Sequence, residues 1–387
     1  MLTARENTKR LYAKEPAERI GLMDGMWHDT LSKWVTQGYP TKRVTRKVME
    51  KVLEDGREVE RKVEREVDEP VDVTDHFQFD IAGVGGWFDM MPLRGYREVV
   101  EESPEWIVKR NGAGAALKYW KAKSGTPEHV DFRMTSREVW DRDYRPHLLA
   151  VDRERVDIKS AKEKLERRRA QGFWTQYGHL FIWENMRQSL GDICLYESLL
   201  LDPDWIHDYN RVYTDFYKAH YKLLFDEAGI PDGIWMYEDL GYNKGLFASP
   251  GLLKDLVFPY YKEMVDFFHS YGLPVTLHSC GSQREALPMI VDAGFDGLNP
   301  MEVAAGNDVL EYAEKYGEKL VFAGGFDKRI LESHDRDLIR REIVRLMNGM
   351  KERGARFIFA SDHSISTNVD YRDYQYLVEV YRENMFY

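Results

Sequence analysis

Four residues in the second half of the chain have the types and spacing to hold a metal ion. His278 and Cys280 stand two apart in PVTLHSC, Glu302 ends GLNPMEV, and His363 ends RFIFASDH. Residues two apart on a strand share a face, so an imidazole and a thiolate can grip one ion from a single strand. A carboxylate and a second imidazole from neighbouring strands complete a tetrahedral set, and nitrogen with sulfur selects zinc over magnesium or calcium. The competing reading of a His-x-Cys pair is a packed thiol beside a capped imidazole. A second group lies in DGIWMYEDL, where the two-residue period puts Trp235, Tyr237 and Asp239 on one face and Glu238 on the other. Tyr237 or Asp239 can hydrogen-bond to or protonate a leaving oxygen, the alternative being that they fix loop geometry. Trp27, Trp87 and Phe88, near the first strands, can stack on a flat substrate beside Trp235 and Met301, with ordinary packing as the alternative.

These residues need a scaffold that brings several strand ends to one place. From about Gly172 short apolar runs alternate with amphipathic stretches, the pattern of βα units and a parallel sheet. The strand candidates are GFWTQYGHLFIW, DGIWMYEDL, PVTLHSC, GLNPMEV, KLVFAGGFD and RFIFASDH; RIGLMDGMW and HFQFDIAGV bring the count to about eight. The expectation is α/β: one (β/α)₈ TIM barrel over residues 1–387, whose reactive groups sit where strands end. Residues 1–170 would carry N-terminal helices, the first strands and a β-hairpin insertion around Ser124 and Gly125. Val59, Val63 and Val67 recur every four residues among Glu and Arg, which predicts a solvated helix with a thin apolar stripe. A Rossmann fold fits less well, because GVGGW lacks the acidic residue and helix start of a dinucleotide fingerprint.

Composition narrows the partners. With 55 basic against 66 acidic residues the formal charge is -11, which offers no footprint for a nucleic-acid backbone. No apolar run approaches the roughly 18 to 20 residues that cross a bilayer, and the charged N-terminus has no apolar segment after it, so the expected location is the cytoplasm. Cys194 and Cys280 are the two cysteines; Cys194, in the helical pattern GDICLYESLL, reads as a small core residue.

The stretch from Gly172 to Tyr381, most clearly HSCGSQREALPMIVDAGFDGLNPMEV, FAGGFDKRIL and FIFASDHSI, resembles the uroporphyrinogen decarboxylase family. Within that superfamily a zinc branch transfers methyl groups: its corrinoid-dependent methyltransferases carry His-x-Cys and a later Cys, and cobalamin-independent methionine synthase has a related His, Cys, Glu, Cys set. This chain matches it at His278, Cys280 and Glu302, and carries His363 where the branch has its last Cys. The decarboxylase branch meets a substrate of many carboxylates with paired arginines near its first strand, and RIGLMDGMWHDT has no arginine after Arg19. The resemblance therefore implies a zinc-dependent methyltransferase. Imidazole in place of thiolate makes the ion a better Lewis acid, which favours removing a methyl group from a methoxylated, aromatic donor over activating a thiol. No cobalamin-binding stretch is visible, so the corrinoid acceptor is expected on a partner protein; a homodimer is the other expected assembly. The alternatives are methyl transfer from a methylcorrinoid to a thiol, a metal-free lyase of the decarboxylase type, and a corrinoid- or tetrapyrrole-binding module with a structural zinc.

Overall fold

The computed structural model describes residues 1–54 and 57–387. Eight parallel strands form its central sheet: β1 (Gly21–Leu22), β2 (Ile81–Gly83), β3 (Trp174–Leu180), β4 (Gly233–Tyr237), β5 (Val275–Ser279), β6 (Gly297–Pro300), β7 (Val321–Ala323) and β8 (Phe357–Phe359). Spatial order follows chain order, with β1 beside β8. Between β1 and β2 the seam is closed by Asp80, whose N–H donates to Leu22 O (2.7 Å) and whose Oδ2 accepts from Leu22 N–H (2.7 Å). Helices flank the sheet, giving a (β/α)₈ barrel whose eight strands lie in the eight runs that the sequence nominates.

Side-chain alternation divides the core. Phe357 and Phe359 of β8 face the helices, whereas Ile358 joins Ile81, Trp174, Trp235 and Val321 in a small separate cluster inside the barrel. The helix Ala4–Tyr12, started by a Thr3/Glu6 capping box, plugs one end of that interior. Its Tyr12 stacks on Trp174 (5.4 Å between centroids) and meets Thr276 Oγ1 at 2.6 Å. Arg19 is committed near the seam, where its Nη1 donates to the buried Asp80 carboxylate (2.6 Å). The opposite end, at the C-terminal ends of the strands, is left for chemistry.

One local expectation fails. The segment holding Val63 and Val67 is not a helix but half of a long antiparallel ribbon, Thr41–Glu54 paired with Arg57–Pro70. Val44 pairs with Val67, Val48 with Val63 and Val52 with Val59, because four residues are two full periods of a strand as well as about one helical turn. Val44, Val48, Val63 and Val67 are half-buried while the charged residues between them are exposed, with cross-strand ion pairs such as Arg43 to Asp68 (3.2 Å). The expected hairpin around Ser124 and Gly125 belongs to a four-stranded antiparallel meander, Glu98–Glu102, Trp106–Arg110, Ala115–Trp120 and Glu128–Phe132. Among the described residues no helix is long and apolar enough to cross a membrane.

Candidate metal centre

Strand register decides which side chains meet. Tyr237 of β4 pairs with His278 of β5, and His278 with Asn299 of β6, so the strand ends stand level at one mouth. There Asp239, His278 and Cys280 form a group able to hold a metal ion, their ligand atoms all within 4.8 Å of one another. His278 Nε2 lies 3.5 Å from Cys280 Sγ and 3.9 Å from Asp239 Oδ1. Zinc bonds of about 2.3 Å to sulfur and about 2.05 Å to nitrogen, at the tetrahedral angle, need a separation of about 3.6 Å. The imidazole and thiol already stand at that separation. The nitrogen–oxygen counterpart is about 3.4 Å, so Asp239 needs to close by about half an ångström.

Outer contacts fix this arrangement. Asn299 Nδ2 donates to Ala323 O (2.8 Å), which turns its Oδ1 toward His278 Nδ1, 2.5 Å away. An amide oxygen only accepts, so Nδ1 carries the ring proton and Nε2 presents its lone pair to the site. Asp239 Oδ1 accepts the N–H of Cys280 (2.8 Å). Just beyond, Gly281 adopts φ +75°, and a Cβ there would come within 2.3 Å of the Gly241 carbonyl carbon, so no other residue fits the turn. Burial, with Asp239 and Glu302 nearby, pushes the Cys280 thiol well above its usual pKa, while burial pushes His278 down. Carboxylates crowding a thiol and a neutral imidazole make a place where a cation is stabilised and a thiolate forms on it.

Glu302 and His363 stand outside that trio. Glu302 Oε2 accepts Gly281 N–H (3.1 Å). His363 opens on the same cavity from the β8 side, its ring 6.4 Å from that of Trp27 and its Nδ1 buried without a hydrogen-bond partner. The cavity holds about 340 Å³ and is walled by the trio, by Trp27, Trp235 and Tyr237, and by Asp24. Burial pushes the Tyr237 hydroxyl up to about 12. Exposed Trp87 stacks on Tyr237 (5.7 Å, 30°) at the rim. Phe88 and Met301, expected against a substrate, are placed elsewhere. The turn at Gly85 and Gly86 sends Trp87 outward and Phe88 into the core against His179 and Tyr217, and Met301 is fully buried outside the cavity wall. Cys194 is half-buried beside the core.

Three features escaped the sequence. Glu238 does point away from the mouth, where its carboxylate accepts the N–H groups of Phe181 (2.6 Å) and Trp183 (2.7 Å) at the start of the helix Ile182–Leu190; burial lifts it to about 8. Thr126, on the loop between the last two meander strands, reaches the cavity wall, and Ser124 N–H anchors that loop to Asp29 Oδ2 (3.3 Å). Asp24, just beyond β1, accepts from Ser361 Oγ (2.7 Å) and Tyr374 OH (3.0 Å). Its position in LMDG, directly after an apolar strand, was the available signal.

No curated protein matches the chain. Among solved structures, a methyltransferase from Methanosarcina mazei aligns over 99% of both chains at 12% identity with a TM-score of 0.62, which shows a shared fold. The apo form of 3-keto-D-glucoside 4-epimerase, YcjR, from E. coli aligns over 59% of this chain and 83% of its own at 9% identity, TM-score 0.32. The family model described as uroporphyrinogen decarboxylase (URO-D) matches residues 196–384, just under half of the chain. It is over that half, which carries β4 to β8 and Asp239, His278 and Cys280, that the chain is similar to the URO-D family.

Proposed function

We propose that this barrel is a zinc-dependent methyltransferase, taking the methyl group of a methoxylated aromatic donor to the corrinoid of a partner protein. The observation that carries the reading is the 3.5 Å separation of His278 Nε2 and Cys280 Sγ, matched to zinc and held by the Asn299 contact. The similarity to the URO-D family and the fold shared with a methyltransferase support it. Asp239, His278 and Cys280 hold the ion; Glu302 and His363 are the donors in reserve for a fourth position, which a catalytic site leaves open to substrate. Bound zinc supplies Lewis acidity toward the donor's oxygen. The Tyr237 hydroxyl keeps its proton at neutral pH and donates a hydrogen bond to that oxygen as charge develops on it. Trp27 and Trp235 give the aromatic ring its walls, with Trp87 at the rim against Tyr237. Among the described residues the wall contains no Lys or Arg, and Arg19 is committed to Asp80, which argues against a polycarboxylate substrate.

The test is elemental analysis of the purified protein beside His278→Ala and Cys280→Ser, followed by methyl transfer from 2-methoxyphenol to cob(I)alamin monitored by absorbance. Near-stoichiometric zinc lost in both variants, with transfer that follows zinc loading, is the expected result. Zinc absent even after its addition, or turnover only with a thiol and methylcobalamin, would overturn the reading.

A further inference from the structure

The cavity also carries a statement about the charge of what it binds. Asp24 lies on its wall with a carboxylate whose hydrogen-bond donors are all uncharged: Ser361 Oγ (2.7 Å), Tyr374 OH (3.0 Å) and the backbone N–H groups of Gly25 (2.9 Å) and Ser361 (3.4 Å). Asp24 is half-buried, and a carboxylate drawn partly out of water is stabilised by a cation or a metal beside it. Among the described residues, none on the cavity wall is a Lys or Arg. The metal trio does not include Asp24. Its charge therefore stays unbalanced even when an ion occupies Asp239, His278 and Cys280. β1 stands four strands from β5 either way round the barrel, so Asp24 and His278 face one another across the mouth. Trp27 and Trp235 line the same cavity, and aromatic faces with a carboxylate are the chemistry that recognises an ammonium group.

We propose that the cavity selects an ammonium-bearing ligand, its cationic end received by Asp24 with the rings of Trp27 and Trp235, and rejects carboxylate-bearing analogues. This rests on the proposed methyl transfer only for the end that faces the metal: the donor is then a methoxyaromatic amine and not a methoxybenzoate. A cavity near 340 Å³ lies at the small end of ligand pockets and fits a single-ring compound with its methoxy group at the trio and its ammonium at Asp24. An anion in the same place meets the Asp24 carboxylate, so discrimination works by exclusion as well as by attraction.

Three probes of one size and shape separate the terms: 3-methoxybenzylammonium, 3-methoxybenzyl alcohol and 3-methoxybenzoate, each titrated calorimetrically into the purified full-length protein with zinc present. The ammonium is expected to bind about tenfold more tightly than the alcohol, with the benzoate weakest. In Asp24→Asn the ammonium and alcohol should converge to within about twofold. Benzoate binding as well as the ammonium, equal binding of ammonium and alcohol, an unchanged ranking in the variant, or no binding by any of the three would overturn the proposal. If the variant does not fold, the ranking in the native protein decides. Should the ranking hold while none of the three donates a methyl group to cob(I)alamin, the proposed reaction falls and the charge selection stands.

Discussion

Replacing Asn299 with Leu should loosen the metal while leaving the barrel folded. The native amide makes two bonds, to His278 Nδ1 at 2.5 Å and to Ala323 O at 2.8 Å, and it is 6% exposed. Leucine fills similar space and makes neither. The carbonyl of Ala323 then loses a donor, which costs about 1–3 kcal/mol of stability. His278 loses the acceptor that keeps its proton on Nδ1, and removing such a partner from a ligating imidazole weakens metal binding by about 10- to 100-fold, or about 1.4–2.8 kcal/mol. A competition titration of zinc against a chromophoric chelator measures the second quantity, and urea unfolding of the metal-free protein measures the first. Asn299→Asp separates tautomer control from packing, since a carboxylate also accepts from Nδ1 and raises the basicity of the ring, yet cannot donate to Ala323. The expected order of zinc affinity is Asp at or above native, with Leu far below. Zinc binding by the Leu variant within about twofold of native, or equal weakening by Leu and Asp, would refute the assignment of Nε2 as a ligand held by Asn299.

Gly281→Ala should cost more than about 1 kcal/mol in unfolding free energy and lower zinc affinity, because the turn needs φ +75° and abuts Gly241; native affinity in that variant would mean the turn does not set the position of Cys280. Arg19→Ala leaves the fully buried Asp80 without its cation at the barrel seam, and a loss of about 3–5 kcal/mol is expected in urea unfolding. Stability should also fall in acid through His179. Burial holds its imidazole at about 4, between Phe88 and the carbonyl of Leu180, whereas an unfolded histidine titrates near about 6.5. Between those values the unfolded chain takes up a proton that the folded one refuses, so this contribution is complete above the upper value and drains away toward the lower. Urea midpoints at neutral and acid pH should therefore separate less in His179→Gln than in the native protein.

The barrel was legible because each strand is an apolar run set between turn residues, and neither the short β1 nor the short β2 disturbs that signal. The ribbon was not, since valine at every fourth position satisfies two periodicities. The deciding clue was symmetry: Val44, Val48 and Val52 mirror Val59, Val63 and Val67 about Asp55 and Gly56, a dipeptide that favours tight turns. At the site, His278 and Cys280 announced themselves by type and spacing. Asp239 was noticed for a different role, because only the register that sets Tyr237 beside His278 places it against the thiol. Phe88 shows the reverse limit: an aromatic next to a glycine pair gives no sign of which neighbour turns outward. Asp24 became informative only once its bonding partners were seen and no Lys or Arg was found on its cavity wall among the described residues.

The pairing that completes the sheet joins opposite ends of the sequence. Gly21 registers with Ile358, Ile20 N–H reaches Met385 O, and Arg19 bridges to Phe386. Until β8 and the segment after it are in place, β1 has no neighbour on that side and the sheet keeps two open edges, the condition in which strands recruit other chains. Ring closure is thus a late event of very high contact order, slow relative to the local βα units that precede it. Removing the last few residues would therefore reach beyond a frayed terminus: it would take the Ile20 and Arg19 contacts from the approach to the first strand, more than three hundred residues away along the chain, and leave the Gly21–Ile358 and Leu22–Phe359 pairing to hold that joint alone.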